Sequence, residues 1–396
     1  MLTKSKIIGL IASGLYLVPL LIYINQGQLY GSNILTVLSA LLIYSSTIFA
    51  WIWYFLTIDR STFFSLILCF VGYSYLVYLF SESSINVPFT MENVSTILFC
   101  NYTFLILSSC LISYLLTVRG LMKKTMLIGF GLCFVLLGVF NMIYFMGDAD
   151  LNTFTKTNNY IYSAVAIIPM IPLLKRKIYI NLVMIIVLIL AVISLKRGAV
   201  FLVSISLLAV IVFQVKSFKG MSVKEKMGYM LIFFFSFFLF SDFLLELYDN
   251  STGLYMRVEQ TMEGGTSGRD SMYGKIMVDF FDSDIFNVVF GHGIYSTVNL
   301  IGNYAHNDYL EVLYDLGLVG FCFLILFYIK VYTLLKYTES DIDLKCTLIL
   351  IMIFLYIKSF YSMCIYDFNS FPAFIMLGYV LGHIKMRKQN INLRRK

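Results

Sequence analysis

The chain has 396 residues, of which 60% are hydrophobic, 17% aromatic and 13% charged, with a mean hydropathy of +0.85 and a formal net charge of +7. Soluble domains are about 25% charged, so this composition excludes a soluble enzyme. Apolar runs long enough to cross a ~30 Å hydrocarbon core recur along the whole length, whereas a β-barrel would show ~10-residue alternating segments. The expectation is an all-α polytopic membrane protein, one membrane domain over residues 1–396.

In chain order the apolar runs predict about twelve spans, near 7–24, 34–57, 61–80, 94–118, 125–146, 160–174, 178–195, 198–215, 228–247, 309–335, 346–366 and 370–386. The first follows Lys4 and Lys6 but lacks a small-residue cleavage site, so it is read as a retained span. The weakest is 160–174, which contains Pro169 and Pro172. The seven cysteines all fall in or at the ends of apolar runs, with no CxxC pair, which favours small buried hydrophobes over a disulfide or metal framework.

Twelve spans put both termini on one side. If that side is the cytoplasm, 22 of the 29 Lys and Arg residues face it, six face outward and Lys358 lies inside a span. This is the positive-inside pattern. The net positive charge is thus a topology signal, and nucleic-acid binding need not be invoked.

Residues 248–308 form a polar loop on the outer side, holding eight of the 25 glycines and two of the three histidines. Loops of this length are usually functional or disordered. After a flexible start, Ser267 and Asp270 fit a capping box. Met272, Ile276 and Phe280, together with Tyr273, Met277 and Phe281, then predict an amphipathic helix near 270–281 that lies on the outer membrane face or against the bundle. Gly291-His292-Gly293 reads as a turn or close approach. Asp308 and Glu311 suggest a second capping box opening the next span.

Arg197 stands beside Lys196 at an outward hairpin where other outer hairpins are almost free of cations. Such a pair either snorkels to headgroups or offers a fixed charge for a lipid-linked phosphate. Arg269 falls in the first turn of the loop helix, where free N–H groups already favour anions and a guanidinium adds a bidentate fork. His306 lies just before a helix N-terminus, which keeps imidazole neutral; by itself it reads as an interfacial histidine satisfying a loop carbonyl, with a general base as the functional alternative. Asp279, Asp282 and Asp284 include a D-x-D, with a solvated acidic face as the blander reading and a divalent cation as a minor option. Lys358, Asp242 and Asp367 are costly charges in or near spans and are expected to border the same cavity.

Three features occur together: Lys196-Arg197-Gly198, Gly268-Arg269 followed by Tyr273, and Gly291-His292-Gly293 followed by Ala305-His306-Asn307-Asp308-Tyr309-Leu310-Glu311 and then Gly317 and Gly320. The set resembles the O-antigen polymerase and ligase superfamily of bacterial membranes, over residues 190–335. Relatives often carry Ser-Arg-Gly at the first motif and Trp at the position of Tyr273.

The resemblance implies a GT-C-like membrane glycosyltransferase of the bacterial inner membrane, with no cofactor and no required metal. Its donor and acceptor would be glycans on undecaprenyl diphosphate. Arg197 and Arg269 would grip the diphosphate and His306 would accept the acceptor's proton. Lys196, Arg257, Tyr273, His292, Asn307 and Glu311 would contact substrate. Polymerisation of repeat units into O-antigen or capsule is the leading expectation. Transfer of the finished glycan to lipid A core is the near alternative, and a flippase is the more distant one, since no half-to-half similarity is visible. A chain-length regulator is an expected partner by analogy.

Overall fold

The computed structural model describes residues 4–29, 33–57, 61–81, 84–87, 92–95, 97–147, 161–174, 176–194, 196–216 and 269–395. The expected span 228–247, Asp242, Arg257 and the loop up to residue 268 lie outside the described residues.

Among the described residues, six helical stretches are long and apolar enough to cross a bilayer. They are α2 (Ile34–Leu56), α4 (Ile97–Val118), α5 (Lys124–Gly147), α8 (Arg197–Lys216), α12 (Asp308–Thr333, extended by a 3-10 turn) and α13 (Ile342–Tyr361). Shorter apolar segments come from α1 (Lys4–Leu29), α3 (Thr62–Tyr78), residues 161–173 and α7 (Lys177–Ile193). The last helix, α14 (Phe371–Arg395), packs on α4 through its first half. Its residues Phe371, Phe374, Ile375, Met376 and Leu377 are wholly buried and form the centre of the bundle. One short antiparallel pair, β1 (Ser84–Val87) and β2 (Glu92–Ser95), joins α3 to α4. Cys100, Cys110, Cys346 and Cys364 are buried, while Cys69, Cys133 and Cys322 lie on the bundle's outer surface.

The two prolines divide the 160–174 segment. It forms a short α6 (Ile161–Val165) and a 3-10 turn (Ile168–Leu173), because Pro169 and Pro172 cannot donate the i→i−4 hydrogen bonds of an α-helix. Residues 161–173 are all buried. The segment still runs through much of the bundle. Tyr162 lies against Gly198, where α8 begins beside Tyr361, and Met170 lies against Gly131, near the Lys124 end of α5.

The polar loop is helical before the next span. It contains α9 (Arg269–Asp282), α10 (Ile285–Phe290) and α11 (Ser296–Ile301). The first matches the expected helix to within one residue at each end. Its stripe behaves as amphipathic spacing requires: Ile276 and Phe280 are buried against Ala305 and Tyr314 over the start of α12. The parallel row is less complete, for Phe281 is 72% exposed. Ser267, the expected cap, lies outside the described residues.

A glycine pair locks α10 to α12. Gly317 interrupts the helical dihedrals of α12 with φ +65°, and Gly291 has φ +93°. A Cβ on Gly317 would come within 2.4 Å of the Gly291 nitrogen, and one on Gly291 within 2.2 Å of the Asp315 oxygen. The contact is stitched by His292 N–H donating to Tyr314 O at 3.0 Å and Gly293 N–H to Asp315 O at 3.1 Å. Tyr73 of α3 donates to both sides of the junction, at 2.8 Å to Phe290 O and 3.0 Å to Leu316 O. Left-handed strain plus overpacking predicts that Gly317→Ala destabilises the protein by about 3 kcal/mol. Gly274→Ala, on an exposed helical position with open space around it, is expected to stabilise by about 0.5–1 kcal/mol. Thermal unfolding of the two purified variants tests the contrast.

Candidate functional site

The first turns of α12 carry a ladder of buried acids. Asn307, not Asp308, is the N-cap, its side chain accepting from Tyr309 N–H at 2.9 Å and Leu310 N–H at 3.2 Å. Released from capping, Asp308 turns inward. Its Oδ2 accepts from Ser359 Oγ at 2.7 Å and from the backbone of Cys364 and Ile365 at 2.7 and 3.3 Å. Glu311 takes Thr297 Oγ1 at 2.6 Å on one oxygen and Ala305 N–H at 2.7 Å on the other. Asp315 accepts from Tyr295 N–H at 2.8 Å and Thr297 N–H at 3.0 Å. All three acids have zero exposure, and their i, i+3, i+7 spacing places them on one helix face. They tie the connections 295–305 and 362–366 to the helix.

His306 stands at the mouth of this arrangement with φ +52°. A left-handed conformation is unfavourable for a residue with a Cβ and persists where the surroundings fix it. Here the flanking residues are fixed: Ala305 by Glu311, and Asn307 by its role as cap. Burial holds the imidazole pKa down to about 4, with Arg269 and Lys196 adding to the depression in that order. The imidazole is therefore neutral near pH 7, and two cations, 37 and 110 residues before it in sequence, act on it together. Arg269 opens α9, and Arg197 opens α8 directly after Lys196.

Two aromatic side chains complete the surroundings. Tyr273, one turn beyond Arg269, sits close to the Asn307 side chain, and its hydroxyl pKa is raised by burial, partly offset by Arg269. Tyr162 lies within electrostatic reach of both Lys358 and Arg269, with its hydroxyl beside Gly198 at the start of α8.

Lys196, Arg269, Tyr273, His306 and Asn307 thus share one region at the end of the bundle where α12 begins, and Arg197 is chain-adjacent to it. His292 and Glu311 point into the protein. The His292 ring contacts Ser283 Oγ at 2.6 Å and Tyr314 O at 3.2 Å, and stacks on Tyr314 at 4.1 Å. Two of the three acids of the D-x-D region serve separate ends: Asp279 accepts from Tyr314 Oη at 2.5 Å, and Asp284 caps α10. Among the described residues no cluster of His, Cys, Asp or Glu is arranged to hold a metal ion. Lys358 pairs with Asp367 at 2.6 Å and donates to Ser370 at 2.9 Å. Sequence reasoning passed over Tyr162, which carries no motif, and Asp315, whose signal was a carboxylate inside an apolar run.

The family model described as O-antigen ligase matches residues 182–325. That match, over about a third of the chain, supports the likeness to the O-antigen polymerase and ligase superfamily. The matched stretch contains every position from Lys196 to Glu311 discussed above. No curated protein matches the chain.

Glu311 gives a direct test of how the His306 segment is held. Glu311→Ala leaves the buried Ala305 N–H and Thr297 hydroxyl without their acceptor, at a cost of about 3 kcal/mol. Glu311→Gln is expected to be nearly neutral, since its amide oxygen can face Ala305 N–H while its NH2 donates to Thr297 Oγ1. Thermal unfolding of both variants separates the outcomes.

Proposed function

We propose that this protein polymerises undecaprenyl-diphosphate-linked repeat units into O-antigen or capsular polysaccharide. The observation that carries the proposal is the neutral, half-buried His306 under the joint influence of Arg269 and Lys196. Two cations suit a diphosphate, and a neutral imidazole beside them suits removal of a proton from a sugar hydroxyl.

In this reading the acceptor hydroxyl oxygen bonds to the donor's anomeric carbon while the bond from that carbon to the diphosphate oxygen breaks. The electron pair leaves with the diphosphate, and the hydroxyl proton passes to His306. Arg269 and Lys196 stabilise the charge that grows on the leaving group, assisted by Arg197 at the N-terminus of α8, where unpaired backbone N–H groups also favour an anion. Asn307 and Tyr273 shape the floor of the site. Glu311 and His292 hold the scaffold and do not touch substrate.

The charge distribution supports an outward-facing site. Arg119, Lys123, Lys124, Arg176, Lys177, Lys336, Lys345, Lys385, Arg387 and Lys388 all lie at the opposite end of the bundle from α12's start. By the positive-inside rule that end faces the cytoplasm, with the termini, and the site faces the far side of the inner membrane.

The match to a family described as O-antigen ligase favours a second reading, transfer of the finished glycan to lipid A core. Deleting the gene decides between them: glycans arrested at one repeat mean polymerase, and long chains stranded on the carrier lipid mean ligase.

Two expectations concern the chemistry, measured with the glycolipid that accumulates in the deletion strain. Arg269→Ala and Lys196→Ala should each slow transfer by roughly 10²–10³, and His306→Ala by roughly 10²–10⁴. For pH, a His pKa depressed in the free enzyme means the base form persists as pH falls and is lost only near pH 4. The acid limb of kcat/KM should therefore lie near 4, well below an ordinary histidine. Bound diphosphate offsets both cations, so the limb of kcat should move upward from it. An acid limb of kcat/KM near pH 6.5 that survives in His306→Ala would remove His306 from the role.

A further inference from the structure

The short helix α10 leaves large apolar side chains uncovered. Ile285, Phe286 and Phe290 are exposed, Ile285 by 82%. The Phe286 and Phe290 rings pack on each other at 5.0 Å between centroids. This surface runs into that of the apolar helices beside it. Tyr73 of α3 reaches the Phe290 carbonyl, and Leu76, three residues on and so on the same face of α3, is exposed. Phe80, in the turn that follows α3, and Leu318, beside the Gly317 junction of α12, are exposed as well. Asp284 caps the start of α10, and beyond it the helix reads Ile-Phe-Asn-Val-Val-Phe, without a charge.

The junction also sets the depth of α10. Leu316 lies eight residues into α12, roughly 12 Å from its start, and Tyr73 lies five residues before the end of α3, roughly 8 Å. Both stand inside apolar segments, so the far end of α10 is drawn below the rim of the bundle. Within hydrocarbon a backbone group needs a partner from the protein, and the turn after α10 meets that condition. Gly291 N–H donates to Asn287 O at 2.8 Å, His292 N–H to Tyr314 O at 3.0 Å, Gly293 N–H to Asp315 O at 3.1 Å and Ile294 N–H to Ser81 Oγ at 2.5 Å. The Phe290 carbonyl, at the surface, receives the Tyr73 hydroxyl at 2.8 Å. A turn facing water could leave such groups to solvent.

We propose that α10 is a re-entrant wedge seated in the bilayer leaflet at this end of the bundle. Ile285, Phe286 and Phe290 lie against phospholipid acyl chains, and Asp284 stays at the level of the headgroups. Lipid is the occupant because the exposed surface of α10 continues into that of α3 and α12, and because the turn behind it is satisfied from within the protein. The wedge follows directly on α9, whose first residue is Arg269. The lipid seat therefore anchors the far end of the helix that carries this cation. The inference stands on packing and hydrogen bonding and does not depend on which reaction the site performs.

The test uses the full-length protein in phosphatidylcholine nanodiscs, with Ile285→Trp and Phe286→Trp made singly. Both sites are exposed, so an indole is accommodated without repacking the core. The wild type, with Trp51 and Trp53 as its two tryptophans, supplies the background to subtract. Leu132→Trp, on the exposed side of the spanning helix α5, calibrates full lipid contact. Phosphatidylcholine brominated on its acyl chains quenches an indole in hydrocarbon, and acrylamide quenches one in water. Brominated nanodiscs are expected to remove most of the emission that each α10 variant adds, as for Leu132→Trp, and acrylamide little of it. Emission quenched by acrylamide and spared by bromine places α10 in water and overturns the wedge. Emission spared by both quenchers means that a protein surface, a second copy or another chain, covers α10, and overturns it too.

Discussion

A carboxylate with zero exposure inside a membrane bundle is costly unless the protein itself supplies hydrogen-bond donors to it. Glu311 and Asp315 find donors for both oxygens and Asp308 for its Oδ2, largely backbone N–H groups borrowed from chain outside their own helix. The demand is what shapes the site. Glu311 can be satisfied only if Ala305 comes to it, and Asp315 only if residues 295–297 fold back over the helix. Segments that would otherwise be ordinary connections are drawn onto the α12 face, and His306 is forced into a left-handed turn between two fixed neighbours.

The sequence revealed periodic features well and pairwise ones poorly. The α9 helix followed from Met272, Ile276 and Phe280 recurring every four residues, and hydropathy located the long spans to within a few residues. What composition conceals is choice among equivalents. Asn307 and Asp308 are both good N-caps, and the one that caps is set by the other's engagement with Ser359 and Cys364, more than 50 residues away. Glu311 and His292 carry the residue types of a binding site, but only their distant partners reveal that both face inward. Pro169 and Pro172 signalled a broken segment without indicating that it would run buried from Tyr162 to Leu173.

The cations show the same limit at finer scale. Lys196 and Arg197 are neighbours in sequence, and a helix start points successive side chains in different directions by roughly 100°. Sequence alone cannot say which one faces the histidine. It is Lys196 whose charge acts on His306. This division leaves Arg197 at the first position of α8, where its charge adds to that of the helix N-terminus.

An imidazole with a pKa near 4 is a feeble base, which at first counts against a role in catalysis, since an ideal base titrates near the working pH. The same two cations lessen the difficulty. Their field depresses the pKa only while nothing anionic lies between them. In the proposed reaction a diphosphate would supply that anion, and once seated it would cancel the depression from Arg269 and Lys196, leaving only the effect of burial. The histidine would then be weakly basic in the empty site and more basic when a donor is bound, so proton abstraction is coupled to donor binding by electrostatics alone, without any movement of the protein. Burial and strain keep the ring in place for that moment, and the acids beneath α12 keep the strain from relaxing.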